Sequence, residues 1–102
     1  MMTEMTIGEI LDDLRSAEEV LRKFERRYWI TSEQFYELYQ EGRLDTGEHT
    51  EDFAEWAGFY KLKSRREKTF EKFSQARLKK IKESASTPNI QLDPQEPIVE
   101  VV

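Results

Sequence analysis

Residues 6–28 read Thr-Ile-Gly-Glu-Ile-Leu-Asp-Asp-Leu-Arg-Ser-Ala-Glu-Glu-Val-Leu-Arg-Lys-Phe-Glu-Arg-Arg-Tyr. The stretch opens on a capping box: Thr6 accepts from the amide three residues on, and Glu9 reaches back to the cap. Behind the cap, Ile10, Leu14, Ala17, Leu21, Phe24 and Tyr28 recur at spacings of 4, 3, 4, 3 and 4. That rhythm keeps six side chains on one stripe of a helix, widened by Ile7, Leu11 and Val20. Charges fill the opposite face, where Glu18 with Arg22 and Glu19 with Lys23 stand four apart in the favourable order. A long amphipathic helix over about 7–28 follows, and its apolar stripe needs a partner.

Downstream, Thr31-Ser32-Glu33-Gln34 repeats the cap, with Ile30 before it and Phe35 behind it as a hydrophobic staple. Phe35, Leu38 and Tyr39 share a face of a short helix over 32–41, and Gly42 suits the left-handed residue that ends one. Arg43 to Gly47 reads as a turn plugged by Leu44. A third helix is expected from about 49 to 83, its acidic first turn suited to a helix N-terminus. Its stripe runs Phe53, Trp56, Ala57 and Tyr60, extended by Phe59 and Leu62, and resumes at Phe70, Phe73, Arg77 and Ile81. At ~1.5 Å per residue such a helix reaches about 50 Å. Its distal half is therefore expected to project or to pack on another chain. From Ser84 the composition changes, and Pro88, Pro94 and Pro97 forbid helix while the β-branched end favours extended backbone.

The expected architecture is all-α: an antiparallel hairpin of two long helices with a short crossing helix, plus an extended or disordered tail over 84–102. Phe35, Leu38, Leu44, Phe53, Trp56 and Tyr60 should close over Leu21, Phe24 and Tyr28. One helical domain, 1–83, fits the 102 residues. The first helix's stripe is long enough to pair with its own copy, so a homo-oligomer is expected.

Charge is unevenly distributed. The formal −5 divides into −9 over residues 1–60, +8 over 61–82 and −4 over 83–102. Such asymmetry bears on partners rather than on fold. Lys61, Lys63, Arg65, Arg66, Lys68, Lys72, Arg77, Lys79 and Lys80 form the footprint of a nucleic-acid site, an alternative reading that the chain's negative total weakens. The tail, apolar and acidic, offers Ile90, Leu92, Asp93, Glu96, Ile98, Val99, Glu100 and Val101 to a partner's groove or sheet edge.

Little suggests catalysis. The chain has no cysteine and one histidine, His49, so thiolate chemistry and zinc–thiolate sites are excluded. The acids around His49 do not follow the order of a calcium loop, and no nucleophile-elbow sequence accompanies the serines. The four glycines are too scattered for a phosphate loop. No metal, cofactor or enzymatic activity is expected. The first residues lack a secretory pattern and no apolar run is long enough to cross a membrane, which points to a cytoplasmic chain.

The middle of the chain resembles a group of small all-helical archaeal and cyanobacterial antitoxin-like proteins. The matching residues are Phe24-Glu25 with Tyr28, Thr31-Ser32-Glu33-Gln34-Phe35-Tyr36, Gly42-Arg43-Leu44 and Glu51-Asp52-Phe53-Ala54-Glu55-Trp56-Ala57, within about residues 20–65. Trp29 departs from the small residue expected after the tyrosine. The pattern consists of caps, a turn and core aromatics, so the resemblance implies helices and no catalytic residue. It also implies a role as antitoxin: a protein–protein interaction module whose helical body holds a small, nuclease-like toxin while the tail docks on it. A self-assembling helical structural protein is the remaining alternative.

Overall fold

The computed structural model describes residues 3–44, 47–85, 88–95 and 97–101. The order of elements is β1 (Thr3–Thr6), α1 (Ile7–Tyr28), α2 (Ser32–Gln40), α3 (Thr50–Ser84) and β2 (Ile98–Val101). Both threonine hydroxyls cap their helices, but the full capping box forms only at Thr31, and the bond from Glu9 back to the Thr6 amide does not form. Thr6 Oγ1 accepts from the Glu9 amide at 3.0 Å. Thr31 Oγ1 accepts from the Gln34 amide at 3.0 Å, while Gln34 Oε1 accepts from the Thr31 amide at 3.0 Å. These bonds satisfy amides that have no partner inside the first turn.

α1 and α3 lie antiparallel. Three ion pairs mark the register, Asp13 with Arg66, Lys23 with Glu55 and Arg27 with Asp52, the partner number falling as the first rises. α2 crosses one end. There Leu21, Phe24, Phe35, Trp56 and Ala57 form the buried cluster, flanked by Val20, Tyr28, Ile30, Tyr36, Leu44, Phe53, Phe59 and Tyr60. Trp56 is fully buried, its ring stacked on Phe35 at 3.9 Å between centroids and on Phe24 and Tyr28 at 5.5 Å. Aromatic pairs of this kind add about 0.5–1.5 kcal/mol each beyond the area they bury.

The molecule is predominantly helical, but it is not a clean all-α hairpin. β1 and β2 pair antiparallel, Thr3 opposite Val101 and Thr6 opposite Ile98. Alternation along the strands turns Met5, Val99 and Val101 inward, Val101 being buried, while Glu4 and Glu100 face out. A two-stranded ribbon is marginal alone, and here it rests on α3, beside Arg65, Arg66, Thr69 and Phe73. The end expected to hang free is thus partly spent on the chain's own body. Pro97 also accepts from the Ile7 amide at 3.1 Å, completing the start of α1.

The distal half of α3 is only partly covered from within the chain, with Leu78 52% exposed. Phe70, Phe73, Leu78 and Ile81 share a groove with Ile7, Gln95 and Pro97, and Arg77 donates to Gln95 Oε1 and to the Asp93 carbonyl. The apolar stripe of α1 meets α3, and Ile10, Ala17, Leu21 and Phe24 are all buried. The shape is elongated, 61 × 30 × 22 Å, with a radius of gyration of 18.1 Å, against about 13 Å for a compact chain of 100 residues.

Candidate interaction surfaces

Three places on this scaffold bear on function: the turn between α1 and α2, the tail, and the outer face of α3.

The turn is built around an exposed tryptophan. Tyr28 points inward, donating its hydroxyl to Asp52 Oδ2 at 2.6 Å and stacking on Trp56. Ile30 packs against the same cluster. Trp29, between two inward residues, is turned out and is 88% exposed. It caps α1 in the left-handed conformation, φ 61° and ψ 31°, its amide donating to the Glu25 carbonyl at 2.8 Å. That position normally takes glycine or asparagine, and a bulky side chain there is a genuine outlier. Backbone strain held in place by its surroundings gathers at functional sites, and exposed tryptophan is the residue type most often found as an interface anchor. Sequence reasoning passed over Trp29 as a contact residue. The signal that could have found it was an indole where a small residue was expected.

Beneath the turn lies a buried polar knot. The Trp56 indole donates to Ser32 Oγ at 2.8 Å, and both Ser32 Oγ and the Ser32 amide donate to Glu25 Oε2, at 2.8 and 2.9 Å. Glu25 thereby anchors the first turn of α2 to α1, and every buried side-chain polar atom among the described residues has a partner. The Ser32 hydroxyl locks the three elements together, donating to Glu25 and accepting from Trp56. His49, the one histidine, stands edge-on to Tyr28 at 5.7 Å. Burial first, then the hydrogen bond to Asp52 and that carboxylate's charge, raise the Tyr28 pKa, opposed by Arg27. No group of His, Asp or Glu able to hold a metal ion occurs among the described residues.

The tail residues divide. Ile90, Leu92, Asp93, Ile98 and Glu100 are exposed, Leu92 and Ile98 at 71% and 62%. Val99 and Val101 face the chain's own α3, and Glu96 lies outside the described residues.

The basic residues of α3 divide as well. Arg66 is bound to Asp13 at 2.9 Å, Lys63 to Glu67 at 3.4 Å, and Arg77 to the tail. Lys61 lies 6.0 Å from the centre of the Tyr36 ring. Lys79 makes a loose, exposed pair with Glu83 at 4.0 Å. Arg65, Lys68, Lys72 and Lys80 are exposed, with no ion pair to another described residue. No helix among the described residues is long and apolar enough to cross a membrane. No family model, no curated protein and no solved structure matches this chain.

Proposed function

We propose that this chain is a non-enzymatic protein–protein interaction module, acting in the cytoplasm as the antitoxin of a small, nuclease-like toxin. Trp29 carries the reading: a large aromatic held outward at the cost of left-handed backbone, at the point where α1, α2 and the start of α3 meet. A partner that covered the indole would bury one of the largest apolar surfaces a side chain offers. The tail supports the reading in a revised form. With β2 paired to β1, it meets a partner as part of the folded surface, displaying Leu92, Asp93, Ile98 and Glu100 rather than swinging free.

Expression of the adjacent gene of the same operon, alone and together with this chain, tests the proposal. Growth arrest by the neighbour and rescue by the wild-type chain are expected. Trp29→Gly should rescue poorly while folding at least as well, because glycine accepts the left-handed cap without strain. Its thermal midpoint, read by circular dichroism, should stay level or rise, by no more than about 1 kcal/mol of added stability. Absence of arrest, or full rescue by the variant, would overturn the assignment.

A further inference from the structure

The outer face of α3 carries a feature that the proposed function does not use. Lys61, Arg65, Lys68, Lys72, Gln75, Lys79 and Lys82 follow one another at spacings of 4, 3, 4, 3, 4 and 3. On a helix that rhythm keeps to one face, as a stripe that drifts about 20° per seven residues, and all seven residues are exposed. At ~100° per residue, the line falls on the side of α3 opposite Trp56, Lys63, Phe70 and Arg77, which face α1 and the tail. Its length, residues 61 to 82 at ~1.5 Å each, is about 32 Å, close to one turn of a nucleic-acid duplex at ~34 Å.

A solvated helix face ordinarily mixes its signs, as the outer face of α1 does with Glu18, Glu19, Arg22 and Lys23. This line has six cations, one amide and no acid, in a chain whose acids outnumber its bases 21 to 16. Like charges three and four apart repel and cost helix stability, and that cost is recovered when a polyanion lies along them. Acids flank the line without breaking it: Glu67 is paired with Lys63, Glu71 accepts from the Gln75 amide at 3.3 Å, and Glu83 makes a loose, exposed pair with Lys79 at 4.0 Å. Glu100 of β2 stands at one flank, sharing a groove with Arg65, Lys68 and Lys72.

The geometry points to a phosphate-backbone binding site for double-stranded nucleic acid, formed by Lys61, Arg65, Lys68, Lys72, Lys79 and Lys82. The structure thus sorts the basic stretch. Arg66 and Arg77 tie α3 to α1 and to the tail, Lys63 pairs with Glu67 within α3, and Lys80 lies off the line, while the six on the line face a ligand. A membrane surface fits less well, because a helix lying in a bilayer needs apolar side chains beside its cations to enter the lipid, and the line has none. Point cations on phosphates carry no base information, so binding is independent of sequence.

Fluorescence anisotropy of a labelled mixed-sequence DNA duplex, and of an RNA duplex, titrated with the full chain at several salt concentrations, tests this. The variant Lys61→Gln, Arg65→Gln, Lys68→Gln, Lys72→Gln is compared with Arg15→Gln, Arg22→Gln, Lys23→Gln, Arg26→Gln, which removes equal charge from α1. Circular dichroism checks that both fold. The first variant should bind at least about tenfold more weakly at low salt. Its slope of log affinity against log salt should be shallower by about 3–4, since each neutralised phosphate contributes about 0.9. The second should keep the wild-type slope. Equal loss in both variants, no loss in either, or tighter binding to anionic vesicles than to either duplex would overturn the assignment.

Discussion

The two ends of the molecule are held by different forces. At the end where α2 crosses, three aromatic rings from α1 and α2 meet around Trp56 of α3, and a serine, a carboxylate and an indole are knotted beneath them. At the other end, two four-residue strands pair with each other and the Pro97 carbonyl accepts from the Ile7 amide of α1, with Val101 as the one buried apolar side chain of the sheet. The first end is dense, shared among elements and locked by side chains. The second depends on backbone pairing over a short contact, with Glu4 facing Glu100 across the strands, a like-charged pair that weakens the ladder. Unfolding should therefore begin at the strands, with the aromatic end the last to open.

Trp56→Ala is the severest test of that contrast. It removes the ring that three others stack upon and leaves Ser32 Oγ without its donor, so a loss of about 3–5 kcal/mol in urea unfolding is expected. A loss below about 1 kcal/mol would mean that the aromatic end is not the stronger one. Val101→Asp attacks the other end. It removes a side chain whose burial is worth about 1.5–3 kcal/mol and puts a carboxylate in its place, so the strands should come away rather than bury the charge. Hydrogen exchange should quicken at Met5 and Val99 and leave Leu21 and Phe35 protected; global loss of protection would show that the two ends unfold as one.

The subtlest effect concerns Tyr28. Because its folded pKa is raised above the ordinary ~10, the folded state holds the phenolic proton more tightly than the unfolded chain. The resulting stability is complete below pH 10 and is lost as pH rises through the folded value. Tyr28→Phe should flatten the fall in stability above pH 10 while giving up the bond to Asp52 at neutral pH. An unchanged alkaline slope would show that another group causes it.

The parts legible in the sequence were the local ones. Thr6 and Thr31 announce their helices because a cap needs only a hydroxyl and the amide three residues on, and the stripe from Ile10 to Tyr28 finds its partner in α3 because both repeat at helical spacing. The sheet was not legible. Thr3-Glu4-Met5-Thr6 has one strongly apolar residue and lies far along the chain from Ile98-Val99-Glu100-Val101, so their pairing depends on where α1 and α3 leave their ends. Trp29 escaped notice for a related reason: its outward position follows from Tyr28 and Ile30 both turning in, which only the packed cluster decides. The basic residues from 61 to 82 could be counted in the sequence, but sorting them needed Asp13 and the tail to be seen in place.

The two tryptophans end up in opposite surroundings, Trp56 enclosed and Trp29 almost wholly in solvent. The protein therefore contains two optical reporters that need no label. The enclosed indole should emit toward the blue and resist a soluble quencher such as iodide until the aromatic end opens. The outer one should emit toward the red, be quenched freely, and become shielded when something settles over the turn. A single emission spectrum, recorded with and without iodide, can then separate loosening of the interior from occupation of the surface in the unmodified chain.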